Sequence, residues 1–251
     1  MNFFGQYMKH FSHIEGWFQV PAIVTWDCLL DYQEGEKIAG NLLELGVWKG
    51  KAAALLALHC RPGERCLFVD PSPLLMQAKE NIDRVIPGTN CQYLQETSQG
   101  LQRRSLLTAM AGTFRWIHID AEHTVQGVMR DLAIADRLVG DRGIVTLDDF
   151  LTPAYPQVTQ AIFQFLTTQP GRFSLVLCGH DKGYLCRPMA AREYLTYCRS
   201  LLYEEMSKRG CDQVTIWKTT EPADMNTFGI TNKEDYAGYR GLDWDKSTIR
   251  I

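Results

Sequence analysis

From residue 40 onward, short apolar runs alternate with longer stretches whose apolar positions recur at helical spacing, which is the pattern of βα units. The runs at 41–46, 65–70, 91–94, 114–120 and 143–147 predict five strands, and the stretches at 49–59, 74–85, 101–111, 125–139 and 158–168 predict helices. Ser72-Pro73 precedes the second of these helices as a cap followed by a first-turn proline. Two further runs, 173–178 and 184–187, flank Gly179-His180-Asp181-Lys182-Gly183 and predict an antiparallel hairpin. Together these elements predict an α/β fold: a doubly wound, mostly parallel sheet with helices on both faces, an antiparallel edge hairpin, and ligands at the carboxyl ends of the strands. Residues 1–39, helical and aromatic through Phe11, Trp17, Phe18, Trp26 and Tyr32, predict a helical cap over that edge. Residues 40–188 form the core of a single domain spanning 1–251, and 189–251 a C-terminal extension. The extension predicts a helix from Tyr194 to about Lys208, a strand at 213–218 and a polar tail through Tyr239-Arg240-Gly241-Leu242-Asp243-Trp244.

Composition narrows the classes. With 26 Lys+Arg against 29 Asp+Glu and 45% hydrophobic residues, the chain reads as a soluble globular protein. It lacks the basic excess that neutralises a phosphate backbone, so nucleic acid is not expected as a partner. The eight cysteines form no C-x-x-C pair, which argues against zinc ribbons and redox motifs and for a reducing, cytoplasmic setting. No basic region followed by an apolar run opens the chain, and the most apolar stretch, 52–60, is far short of the roughly 20 residues of a membrane helix. Neither a signal peptide nor a membrane partner is expected.

The first strand ends in Glu44-Leu45-Gly46-Val47-Trp48-Lys49-Gly50, an E-x-G-x-x-x-G run. Gly46 and Gly50 would let the backbone approach a ligand where a helix N-terminus offers free N–H groups, although a tight turn without a ligand uses the same residues. Trp48 occupies the place of the middle glycine of a dinucleotide motif, and its bulk would obstruct a pyrophosphate, which disfavours NAD. Asp70 ends the second strand 24 positions after Gly46, near the roughly 20-residue offset at which an acid accepts ribose hydroxyls. Glu44, Gly46, Gly50 and Asp70 together fit S-adenosylmethionine, with an acid for the ribose and no pyrophosphate to accommodate. Ser98 offers a hydroxyl toward the adenine at the same edge, or else caps the helix that follows.

The densest chemistry is Ile117-His118-Ile119-Asp120-Ala121-Glu122-His123-Thr124, followed 28 residues after Asp120 by Asp148-Asp149. If the fourth and fifth strands are neighbours, their ends lie about 5 Å apart, and Asp120 with Asp148 or Asp149 can converge on a hard divalent cation such as Mg²⁺. Asp120 also stands at the edge where the cofactor is expected. In a regular strand Asp148 and Asp149 point to opposite faces, so joint chelation requires the backbone to turn there.

The runs ELGVWKG, FVDPS, IHIDAEHT and GIVTLDDF, in this order and spacing, resemble class I S-adenosylmethionine-dependent methyltransferases. More narrowly they resemble the group containing macrocin O-methyltransferase and the cephalosporin-biosynthesis methyltransferase component. The resemblance covers about residues 16–187 and implies a seven-stranded sheet, a Mg²⁺ site at Asp120, Asp148 and Asp149, and Glu122 or His123 near the acceptor as general base. His123 is the preferred base, because an imidazole titrates near neutrality while a carboxylate beside Mg²⁺ becomes less basic. Ala121 stands where many relatives have glycine and Val125 where many have tyrosine, so the acceptor side departs from the group.

The expected activity is O-methylation of a small-molecule hydroxyl, on a sugar or a natural product. Two other classes fit parts of the sequence. His118-x-Asp120, with His180 and Arg187, suggests the facial triad of an iron(II) oxygenase, and a methyltransferase-like scaffold without catalysis is the third reading. The aromatic residues near both ends serve equally as lid, core or subunit interface, which leaves room for a homo-oligomer.

Overall fold

A computed structural model describes residues 2–219, 227–234 and 248–250. Five parallel strands, β1 (Asn41–Leu45), β2 (Cys66–Val69), β3 (Cys91–Leu94), β4 (Phe114–Ile119) and β5 (Val139–Leu147), form one side of a mixed sheet. The hairpin β6 (Ser174–Gly179) and β7 (Lys182–Cys186) joins antiparallel to β5 through β7. The predicted seven strands are exceeded. Beyond β6 the sheet continues through β9 (Phe228–Asn232) and β8 (Val214–Thr219), and a three-residue strand β10 (Thr248–Arg250) pairs on the outside of β8. The order is β3-β2-β1-β4-β5-β7-β6-β9-β8-β10. The C-terminal extension thus completes the sheet instead of standing outside it, because the edge of β6 offers unpaired backbone groups that another strand must cover. The predicted tail segment Tyr239–Trp244 lies outside the described residues.

Alternation along the strands divides the core in two. Leu42, Phe68, Trp116 and Ile144 face one layer, whereas Leu43, Leu67, Ile117 and Val145 face the other. The second layer holds α7 (Val125–Leu138) and α8 (Pro156–Thr168), with the short helices α5 (Ser98–Gln102) and α6 (Leu106–Ala109). The last two replace the single helix predicted at 101–111. Likewise the predicted helix 194–208 is two, α9 (Pro188–Ser200) and α10 (Leu202–Lys208).

The first layer corrects the expected N-terminal cap. After α1 (Phe3–His10), α2 (Val20–Gly35) lies over the sheet itself, beside α3 (Lys51–Leu58) and α10. Its Trp26 is fully buried, edge-on to Trp116 at 5.2 Å and to His118 at 4.6 Å. A helix apolar on nearly every side cannot remain at an edge; it needs a partner on each face. Arg209, after α10, fastens α2 by donating to Asp27 at 2.6 Å, while Asp27 also meets His59 at 2.9 Å.

Two glycines have packing reasons distinct from the ligand approach expected of them. Gly46 has φ +84°, and a Cβ there would lie 1.8 Å from the Asp120 carbonyl oxygen. The backbone at the end of β4 therefore crosses over this residue. A Cβ on Gly50, φ +85°, would come 2.7 Å from Ala78 on α4 (Leu75–Asp83). Gly46→Ala should accordingly cost about 3 kcal/mol, from overpacking against backbone plus an unfavourable φ. Gly88→Ala has a similar φ of +81° but nothing within 4 Å, and should cost only about 1 kcal/mol. Urea denaturation of the two variants measures the difference; equal losses would show that the Asp120 crossing can relax.

Candidate active site

The strand ends of β1, β4 and β5 and the start of β7 surround a cavity of about 780 Å³, large enough for a nucleoside-sized ligand and an acceptor. It lies at the carboxyl edge, beside the point where the chain reverses from β3 to β4. The loop between α1 and α2 forms its roof. Trp17 stacks on Trp48 at 5.4 Å, and Gln19 donates to Asp181 at 2.9 Å, which ties the roof to the hairpin. His180 and Asp181 have φ of +51° and +60°, so the turn has two left-handed residues and β7 starts at Lys182, two residues earlier than predicted.

Of the expected cofactor residues, Glu44, Gly46, Asp70 and Asp120 line the cavity. Glu44 is buried, accepts His118 Nδ1 at 2.9 Å on Oε1, and leaves Oε2 with no hydrogen-bond partner. A buried acceptor in that condition fits a ligand that donates, such as the ammonium of adenosylmethionine. Asp70 is engaged by the protein: Oδ2 accepts the N–H groups of Val47 and Trp48, each at 2.7 Å, and Oδ1 accepts Ser72 N–H at 2.7 Å. It holds Trp48 in its left-handed conformation, φ +47°, and a carboxylate still has one acceptor position for a ribose hydroxyl. Gly50 and Ser98 do not line the cavity. Ser98 is buried in the first turn of α5, where Thr97, not Ser98, caps by accepting Gly100 N–H at 3.0 Å.

The acidic cluster separates into two groups that share Asp120. In each, one ligand atom per residue lies within 4.8 Å of the others: His118, Asp120 and Asp148 in one, Asp120, His123 and Asp149 in the other. The expected chelate of Asp120, Asp148 and Asp149 therefore does not assemble as one set. The cause is the turn at Asp149, φ +53°, which sends its carboxylate to His123 Nε2 at 2.6 Å. Asp148 stays on the opposite side, hydrogen-bonded through Oδ1 to Lys182 Nζ and to Asp149 N–H. Tested against a divalent cation, Asp120 and Asp149 present a half-exposed carboxylate pair of the right chemistry. Asp148 does not, because an ammonium already holds it. A third group with ligand spacing, Asp27, Asp31 and His59, is bound by Arg209.

His118 sits between two carboxylates, Glu44 on Nδ1 and Asp148 Oδ2 at 3.7 Å from Nε2. Burial alone would lower the imidazole, but Asp148 and Glu44 outweigh it and lift it to about 9. Asp148, despite burial, is held below the usual carboxylate range by Lys182 and His118. Asp120 is raised, by burial and by the neighbouring Asp148. His123 is raised by its bond to Asp149 and lies against Tyr155 at 4.3 Å. Glu122 turns away from the cavity: Thr124 Oγ1 donates to it at 2.7 Å and Arg130 at 3.2 Å, which lowers its pKa and holds it just ahead of the Thr124 cap of α7. The base role expected of Glu122 as an alternative is therefore not supported by its placement.

Of the residues of the oxygenase alternative, His118 and Asp120 keep ligand spacing and His180 lines the cavity, but Arg187 lies elsewhere. His118 is spent between Glu44 and Asp148, and Arg187 donates to Asp136 at 2.5 Å, outside the cavity lining. Sequence reasoning missed Lys182 and Tyr155 as site residues, whereas Phe18 was expected in the aromatic cap over this edge. The signal for Lys182 was a cation in the predicted hairpin loop, two residues before the predicted strand, and only the register of β7 gave it meaning.

Comparison with known proteins bears on the fold. Residues 43–150 match the family model described as a methyltransferase domain. Among solved structures, the O-methyltransferase NovP superposes with a TM-score of 0.53 at 16% identity, over 69% of this chain and 83% of that one. The O-methyltransferase from Bacillus cereus, determined in complex with SAH, gives 0.52 at 19% identity over 74% and 90%. CalS11, a TDP-rhamnose 3′-O-methyltransferase of calicheamicin biosynthesis, gives 0.51 at 16% over 74% and 93%. Comparison with curated protein sequences returns no match. The chain has the class I methyltransferase fold, with additional strands at its antiparallel edge. No helix among the described residues is long and apolar enough to cross a membrane.

The elevated His118 carries a stability signature. A histidine with its folded pKa raised from 6.5 to about 9 stabilises fully below pH 6.5, and loses that contribution as pH rises through 9. The urea midpoint of the native chain should therefore fall across that interval relative to His118→Gln. Parallel pH profiles would show that His118 is neutral in the fold.

Proposed function

We propose that this protein is an S-adenosylmethionine-dependent O-methyltransferase acting on a small-molecule hydroxyl, of a sugar or a natural product. The reading rests on one observation: a buried acceptor at Glu44 and the His123–Asp149 pair face the same 780 Å³ cavity. The motif order supports the group of macrocin and cephalosporin-biosynthesis methyltransferases, and the named activities of NovP and CalS11 agree with a hydroxyl acceptor. Adenosylmethionine supplies the electrophilic methyl group. Glu44 Oε2 would accept from its ammonium and Asp70 Oδ1 from its ribose, while Trp48 and Trp17 close the roof.

A hydroxyl attacking a methyl sulfonium must lose its proton as the bond forms. His123 is the group to take it, through Nδ1, because Nε2 carries the hydrogen bond to Asp149. Asp149 fixes the ring and stabilises the imidazolium that results, as a buried carboxylate does for a catalytic histidine. A bound Mg²⁺ would be held by Asp120 and Asp149 and would lower the pKa of the acceptor hydroxyl. A cytoplasmic setting and a small-molecule partner complete the proposal, supported by unpaired cysteines throughout.

Calorimetry should show binding of adenosylmethionine and none of NAD, and Asp70→Ala should weaken binding by about 1.5–3 kcal/mol. Unchanged affinity in a folded variant would remove Asp70 from the site. An activity screen over glycosides, catechols and natural-product hydroxyls then identifies the acceptor.

With an acceptor in hand, His123→Ala should lower kcat by about 10²–10⁴-fold while cofactor affinity stays intact, and Glu122→Gln should have little effect. The base works unprotonated, so the rate should rise with pH through an inflection above 6.5, the direction in which Asp149 moves His123. A flat profile, or a larger loss at Glu122, would transfer the role elsewhere.

A further inference from the structure

The row of charges at the carboxyl edge follows from register. Glu44 pairs with His118 across β1 and β4, His118 with Thr146 across β4 and β5, and Thr146 with Tyr184 across β5 and β7. Two residues beyond Thr146 stands Asp148, and two before Tyr184, on the antiparallel strand, stands Lys182. Side chains two apart share a face, so Glu44, His118, Asp148 and Lys182 fall in one line beneath α2 and the roof loop. The line is closed by contacts: Lys182 Nζ on Asp148 Oδ1, Asp148 Oδ2 at 3.7 Å from His118 Nε2, and His118 Nδ1 at 2.9 Å from Glu44. Lys182 is only 3% exposed and its ammonium lies 5.7 Å over the Phe18 ring, so the fold holds it in place.

We propose that Lys182 acts as a built-in cation at Asp148, taking the position that a divalent ion would need there and restricting any such ion to Asp120 and Asp149. Lys182 is thereby a positioning residue: it fixes Asp148 on the cavity wall and keeps a positive charge at that carboxylate. Asp148 Oδ1 already accepts both the ammonium and Asp149 N–H, and an incoming divalent ion would meet like charge at short range. This inference concerns cation occupancy of the site and stands apart from methyl transfer.

The test is Mn²⁺ binding followed by electron paramagnetic resonance on the full chain, with S-adenosylhomocysteine binding and circular dichroism as checks of the site and fold. Asp148→Asn alone should leave Mn²⁺ affinity within twofold of the native chain, or leave binding equally absent. Lys182→Met should tighten Mn²⁺ binding at least tenfold, and adding Asp148→Asn should erase the gain. A role confined to holding the fold together would not create a metal site. Loss of native Mn²⁺ binding in Asp148→Asn would overturn the inference, as would a folded Lys182→Met without the gain. Should Lys182→Met fail to fold, Lys182→Gln replaces it under the same criteria, and the Asp148→Asn comparison decides by itself. Failure to bind S-adenosylhomocysteine in the native chain would count against the proposed function and leave the cation result standing.

Discussion

Charge at the carboxyl edge of the sheet is the constraint on which the rest of the site depends. Glu44, His118 and Lys182 are each almost fully enclosed, and the desolvation of an ion costs several kcal/mol, about enough to undo the fold if left unpaired. The chain satisfies this by alternating sign along one face of four adjacent strands, acid, imidazolium, acid, ammonium. Trp26 and Phe18 cover the row, which lowers the local dielectric and makes each pairing both stronger and more necessary. A helix drawn over the sheet face, in place of a loose cap at its edge, follows from the need to keep water from this row.

The row also decides what remains available for chemistry. With Asp148 committed to Lys182, the carboxylates left open to a cation are Asp120 and Asp149, and the turn at Asp149 hands His123 a partner at 2.6 Å. The same economy appears at Asp70, whose carboxylate holds three N–H groups of two loops and so builds the wall of the cavity before any ligand arrives. Preorganised walls of this kind cost nothing further to reorganise when a charged ligand enters. Trp48, strained in a left-handed conformation, is kept there by Asp70 from below and Trp17 from above.

Much of this was legible from residues alone. The five parallel strands, the hairpin and the edge at which Glu44, Asp70, Asp120, Asp148 and Asp149 gather were readable because apolar alternation reports burial, and burial fixes which strand ends carry the polar groups. Glu122, held by Thr124 and Arg130 ahead of the cap of α7, points away from the cavity that His123 lines. The width of the sheet was not legible. The strand expected at 213–218 forms as β8, but its place in the sheet was not readable, and the short β9 and β10 carry too little periodicity to be foreseen.

The sequence by itself determined the class of fold, the edge that carries the chemistry and the residue types gathered there, because local spacing and hydrophobic period are properties of the chain. Tertiary structure alone decided which of those groups meet. The register between β5 and β7 brought Lys182, 34 positions away, onto Asp148. The positive φ of Asp149 parted it from its neighbour, and the passage of Asp120 over Gly46 fixed the reason for that glycine. Each is a contact between segments distant along the chain, and no periodicity within either segment encodes it.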